Sequence, residues 1–262
     1  MPEHAAWFSA QPEVIPEDEL SIEGFQSRWG NALGFSGELF ERLWNRAAQF
    51  YPETSGHDFS HAAETAWRAN LIVDFSEANG TTMNRKLVTG MSFFHDACSH
   101  SDPRRAGFAT KEARAGFVFF KNAPLLGFTY PEAIRGQRGI ETTNPYVRPS
   151  RNEDVALNLA DLYNVGANYE RVMVPRTEEF AEEAAERYGD KFDFARFTAD
   201  SIRLVLNLTS LDRLSGPFQI PEWQALVDTN LRSWAANAAE AAGTSFQNYV
   251  RGLGGVAAAR LL

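Results

Sequence analysis

Four of the five histidines in this 262-residue chain fall between Gly56 and His100. His57 and His61 lie in Gly56-His57-Asp58-Phe59-Ser60-His61, and His95 and His100 in Phe93-Phe94-His95-Asp96-Ala97-Cys98-Ser99-His100; only His4 stands elsewhere. Scattered histidines are surface or packing residues, but crowding of this kind needs a cause. Neutral imidazole beside carboxylate is a ligand set for a divalent ion. Two neighbours on a helix, such as His95 and Asp96, point about 100° apart. Both reach one ion only in a crevice that faces other helices, so the remaining ligands must come from separate helices.

The pattern of apolar residues supplies those helices. After an acidic, proline-bearing arm (residues 1–20), Phe25, Trp29 and Leu33 mark one face of a helix from Ile22 to Leu33. Ser36 is a good N-cap for a second, with Leu39, Leu43, Trp44 and Ala47 as its stripe, ended by Pro52. Thr54-Ser55-Gly56 reads as the turn that delivers His57. The spacing predicts a helix from His61 to Ala78, with Trp67, Leu71, Phe75 and Ala78 inward and Asn79-Gly80 as its stop. Thr82 is the expected cap of the next helix, which runs through Leu87, Met91 and Phe94 to His95-Asp96. Helices follow from Thr110 to Lys121, from Pro131 to Ile140 and from Val155 to Val165, the last with Asp161 embedded. Two amphipathic helices, Arg176–Tyr188 and Phe192–Leu211, precede a last one marked by Trp223, Leu226, Leu231 and Trp234. No repeat or strand pattern is evident, so the expectation is an all-α, single-domain bundle over residues 21–251 with a frayed Gly- and Ala-rich tail over 252–262.

These landmarks together resemble the HD-domain metal-dependent phosphohydrolases, in particular the predicted HD phosphohydrolase branch, related to cyclic-nucleotide phosphodiesterases. The features that carry the resemblance are the H-x-x-x-H pair His57 and His61, the His95-Asp96 dipeptide after an apolar run, and Asp161 in Leu159-Ala160-Asp161-Leu162. Tyr51-Pro52-Glu53, Lys111-Glu112-Ala113-Arg114-Ala115 and Asp161-Leu162-Tyr163-Asn164-Val165-Gly166 extend it over residues 40–208. The resemblance implies an all-helical HD/PDEase-type bundle with His61, His95, Asp96 and Asp161 as metal ligands. It also implies that His57 protonates a leaving oxygen and that Glu112 orients a metal water or the His-Asp helix. Di-iron oxygenases of this fold need further histidines between the His-Asp pair and the final Asp. This chain has none beyond His100, and Asn144 stands near where relatives often carry one, so a mononuclear hydrolytic site is expected.

Chemistry bounds the same residues. Two imidazoles and two carboxylates leave room for water on a six-coordinate ion, which can acidify that water and polarise a phosphoryl oxygen. Mn, Fe, Co, Ni, Zn and Mg all suit such a set. Any one of the four, taken alone, reads as a buried polar residue satisfied by hydrogen bonds; the ordered set favours a metal. His57 is either a general acid held near the ion or a cap on the adjacent turn. Arg104 and Arg105 are candidate phosphate-binding donors, or solvated loop residues. Cys98 reads as a small hydrophobe, since the sequence specifies no basic partner for it.

Composition sets the outer limits. A formal charge of −9 disfavours duplex nucleic acid, though not a small anionic substrate. One cysteine, no transmembrane-length apolar run and no basic leader point to a soluble cytoplasmic protein with no membrane partner. The function expected is hydrolysis of a phosphomonoester or phosphodiester, with a nucleotide favoured. The second reading is a catalytically degenerate HD module that binds a nucleotide or a protein partner. Oligomeric state is left open by the sequence.

Overall fold

The computed structural model describes residues 12, 14–52, 57–210 and 221–262. Most of the arm, the Thr54–Gly56 turn and the expected helix end at Leu211 lie outside them. Among the described residues the chain is all-α, with no strand. They divide into two compact units, Val14–Asp161 and the residues from Leu162 to Leu262.

The first unit contains α1 (Ile22–Trp29), α2 (Gly37–Ala48), α3 (Phe59–Ala78), α4 (Arg85–Phe94), α5 (Lys111–Asn122), α6 (Tyr130–Glu141) and α7 (Asn152–Asp161). The expected helix to Leu33 breaks at Gly30, whose φ of 45° suits glycine, and a short 3-10 turn carries Leu33 inward. Ser36 caps α2, as its position suggested, but Phe40 joins Leu43 and Ala47 on the buried face while Trp44 is half-buried. The end of the arm is packed. Ile15 is buried, and Glu19 accepts from the indole N–H of Trp67 at 3.0 Å.

Helix α3 is the central element, packed on both α4 and α7. Asp58 caps it by accepting from the His61 N–H at 3.0 Å, and nearly every residue from His61 to Val73 is buried. Ala78, expected inside, is exposed, because a helix covered on several sides buries its middle rather than one stripe. Helix α4 is buried along its length except at Lys86, and also meets α2, α6 and α7. Its close approach to neighbouring rings depends on Gly90, where a Cβ would stand 2.5 Å from Phe128 Cζ and 3.1 Å from Phe119 Cε2. Around its far end, Phe93 packs among Phe25, Phe40, Trp44 and Phe59, stacking on Phe59 at 5.8 Å.

Two helix boundaries differ from expectation near the histidines. Asn84, not Thr82, caps α4, accepting from the Leu87 N–H. Its own N–H and side-chain amide are held by Glu153 and Glu132, each at 3.0 Å, and this tertiary support selects it. Helix α4 ends at Phe94, so His95 is its C-cap and Asp96 lies in the following turn rather than on the helix. Likewise α7 stops at Asp161, its last residue, and Tyr163–Gly166 is a separate 3-10 turn.

In the second unit a π-helical turn (Tyr169–Met173) opens α8 (Val174–Tyr188), followed by α9 (Phe194–Leu208) and α10 (Pro221–Ala241). The chain does not end there. Helices α11 (Phe246–Leu253) and α12 (Gly255–Ala258) follow, so α10 is not the last, and the expected frayed tail is helical. Leu261 is 1% exposed, and Arg232 donates to its carbonyl at 3.1 Å. Arg203 donates to Leu253 O at 2.6 Å, and Arg260 to Leu206 O at 3.0 Å, which ties these short helices down. No helix among the described residues is long and apolar enough to cross a membrane.

Candidate metal centre

His61, in the first turn of α3, His95 at the C-cap of α4, Asp96 one residue on, and Asp161 at the end of α7 meet inside the first unit. Each offers one ligand atom, and the four atoms lie within 4.8 Å of one another. His95 Nε2 is 3.3 Å from both Asp96 Oδ2 and Asp161 Oδ1; His61 Nε2 is 3.3 Å from Asp161 Oδ1 and 3.9 Å from Asp96 Oδ2. Atoms bound about 2.1 Å from one ion at tetrahedral or cis-octahedral angles stand about 3–3.5 Å apart. This set can hold a metal ion.

The surrounding hydrogen bonds fit that use. His95 Nδ1 bonds Ser92 O at 2.8 Å, which fixes a proton there and leaves Nε2 as the nitrogen that faces the cluster. Neither nearby carboxylate oxygen meets hydrogen-bond geometry at that nitrogen, which is buried. Burial penalises charge on His95, but Asp96 and Asp161 outweigh it and hold the imidazole well above its usual value. Burial likewise pushes Asp96 up, yet Lys111, His95 and His57 together leave it well below the usual carboxylate range; Asp161 is also lowered, chiefly by His95. Two carboxylates and two imidazoles in one largely buried space thus lean on protons or ammonium groups for balance.

The turn that carries Asp96 is held from α2's exit. The Tyr51 hydroxyl donates to Phe93 O at 3.1 Å and accepts from the Asp96 N–H at 3.3 Å. Burial, then the Asp96 charge, raise the Tyr51 pKa and keep it a neutral donor. The Cys98 N–H donates to Phe50 O at 2.8 Å, and Cys98 sits at φ 64°, unusual for a residue with a Cβ. Cys98 is half-buried, and its thiol is pushed up by burial despite a basic neighbour, Arg114, that sequence spacing did not reveal.

His57 precedes α3, and its Nε2 lies 3.8 Å from Asp96 Oδ2, just outside the four ligand atoms. Lys111, the first residue of α5, reaches both groups: Nζ is 3.4 Å from His57 Nε2 and 3.4 Å from Asp96 Oδ1. Burial opposes its charge, but Asp96, Glu112 and Asp161 raise its pKa, so it is an ammonium. Lys111 and Tyr51 are the site residues that motif reasoning did not single out. Both lie in segments of the resemblance, but neither residue type has a ligand spacing to flag it.

The remaining candidates fall outside the four-atom group. Glu112 is buried and accepts from the Asn144 side-chain amide at 3.1 Å. Arg104 and Arg105 are exposed on the 3-10 turn Pro103–Ala106; Arg105 is 90% exposed, 4.0 Å from Asp102. Comparison of the chain with models of known protein families gave no match, and comparison with curated proteins gave none either.

Proposed function

We propose that this chain is a divalent-metal-dependent phosphohydrolase of the HD-domain type, acting on a phosphomonoester or phosphodiester and most favourably a nucleotide. The observation that carries this reading is the convergence of His61, His95, Asp96 and Asp161 from three helix termini onto one buried point. A bound divalent ion would supply Lewis acidity, lowering the pKa of water and polarising a phosphoryl oxygen.

The chain's own residues supply the rest. His57, held beside Asp96 but outside the ligand set, is placed to give a proton to the leaving oxygen. Lys111 offers an ammonium beside both groups, and with side-chain exposure of 39% it can also meet a phosphate from solvent. The exposed Arg104 and Arg105 are less suited to that role than Lys111. Glu112, bonded to Asn144, supports the start of α5 and thereby Lys111. That same bond also favours the second reading, a module that binds without turnover, because it engages the Glu112 carboxylate.

The deciding experiment is elemental analysis of the purified protein, followed by assay of the Mn-, Fe-, Co-, Ni-, Zn- and Mg-loaded forms on phosphomonoesters and phosphodiesters. Stoichiometric metal with hydrolysis of any member supports the enzyme. Metal without hydrolysis favours the binding module, and no metal removes the centre.

A further inference from the structure

The two oxygens of Asp96 have different neighbours. Oδ2 is 3.3 Å from His95 Nε2, 3.9 Å from His61 Nε2 and 3.8 Å from His57 Nε2, whereas Oδ1 is 3.4 Å from Lys111 Nζ. Two-metal sites hold their ions about 3.5–4 Å apart, close enough for one carboxylate to give an oxygen to each. On Asp96 the Oδ1 side is taken by the ammonium of Lys111. That ammonium is also 3.4 Å from His57 Nε2, an imidazole outside the four ligand atoms.

Charge and placement agree with this. The four-atom group contains two carboxylates, which balance one divalent ion. A second would enter against the charge of Lys111, with no carboxylate of that group left to offset it. Lys111 is the first residue of α5, the end at which the helix dipole disfavours a cation; Asp96 supplies the compensation. The stem of the lysine starts from a fixed point, because Thr110 caps α5 by accepting from the Ala113 N–H at 3.1 Å and Asn144 holds Glu112 at 3.1 Å.

We infer that Lys111 serves as a built-in second cation: its ammonium holds the Oδ1 side of Asp96 and limits the centre to one divalent ion. The inference rests on the metal-centre reading and says how many ions that centre takes. The test counts Mn(II) per chain by elemental analysis after equilibrium dialysis, with EPR to detect coupled pairs. The unaltered chain should hold one uncoupled ion. Lys111→Glu puts a carboxylate at the same place, in a helix turn that suits one, and should hold two ions with the EPR signature of an exchange-coupled pair. Lys111→Met, which keeps the stem and removes the charge, should bind its first ion about tenfold more tightly, because the repulsion between ammonium and ion is gone. Two ions in the unaltered chain, one ion in Lys111→Glu whose circular dichroism shows it folded, or an unchanged first-ion affinity in Lys111→Met would each overturn the inference and leave the centre standing. No ion in either the unaltered chain or Lys111→Glu would overturn the centre, and the inference with it.

Discussion

Within Val14–Asp161 the buried polar residues include Arg68, Arg85, His61, His95, Asp96, Glu112 and Asp154, whereas from Leu162 onward those described are Thr198, Thr209, Gln224 and Asn230. Among the described residues, fully buried charged side chains are thus concentrated in the first unit, although the second buries part of the Arg176 guanidinium, whose Nε and Nη2 lie inside. Burying a charge is costly unless it is paired, and most of those in the first unit are. Arg68 pairs with Glu64 at 2.6 Å, Arg85 with Asp74 and Glu77 at 2.7 and 2.8 Å, and Asp154 with Arg151 at 2.6 Å. Asp96 and Asp161 differ, because they share one space with two imidazoles. Structural carboxylates bring their own arginine; this pair has Lys111 at 3.4 Å from Asp96 and, between its oxygens and the two imidazoles, ligand atoms grouped closely enough for a metal ion.

The sharpest way to break that distinction is Asp96→Ala. It should release the metal and abolish turnover, since the site assembles only with all its ligands in place. Elemental analysis decides, and full retention of the ion would make Asp96 one more structural carboxylate. Next in size is His57→Ala, which should keep the ion but lose about 10²–10⁴-fold in rate on esters with an alkoxide leaving group. On p-nitrophenyl esters, whose phenolate leaves without a proton, the loss should be small. Equal losses on both would assign His57 to positioning.

A third test uses pH on the chelator-treated protein. The folded pKa of His95 lies above the unfolded value of about 6.5, so its contribution is full below pH 6.5 and is lost as pH rises through the folded value. Asp96 and Asp161 lie below about 3.9, so theirs is present above that pH and is lost as pH falls through their folded values. Thermal melts should therefore show greatest stability between about pH 4 and 6.5. His95→Gln should remove the alkaline decline, and a metal-loaded sample should gain most at high pH. A decline that survives in His95→Gln would place its origin elsewhere. The smallest effect expected is that of Tyr51→Phe, which loses the bonds to Phe93 O and the Asp96 N–H. Metal affinity should fall about tenfold by competition titration; an unchanged value would mean that Cys98 and its neighbours alone hold the turn.

The residues of the candidate centre were legible before the fold because histidine is scarce here and its spacing is informative. What was not legible depends on contacts between distant segments. Thr82 and Asn84 are both competent caps, and only Glu132 and Glu153, 48 and 69 residues away, select the second. His95-Asp96 reads as the continuation of a helix, yet Tyr51 and the Cys98 backbone draw that stretch into a turn. Lys111 joins the site from 54 residues beyond His57, and no local pattern marks a lysine for such a place. In the second unit, a periodicity of apolar residues identifies helices but not the space left between them.

Gly90 bears on more than packing. With rings seated against its bare Cα, α4 resists rotation about its own axis, as a keyed shaft does in its slot. His95 emerges five residues later, so its heading is indexed to that key. One residue inserted after Phe94 would swing the imidazole by about 100° and present a neighbour in its place, with the helix up to Phe94 still formed and its core face still locked. On the proposed reading, the metal centre would then be lost by a change of phase rather than a change of ligand, and a chain with an altered count between Gly90 and His95 would keep the scaffold without an ion.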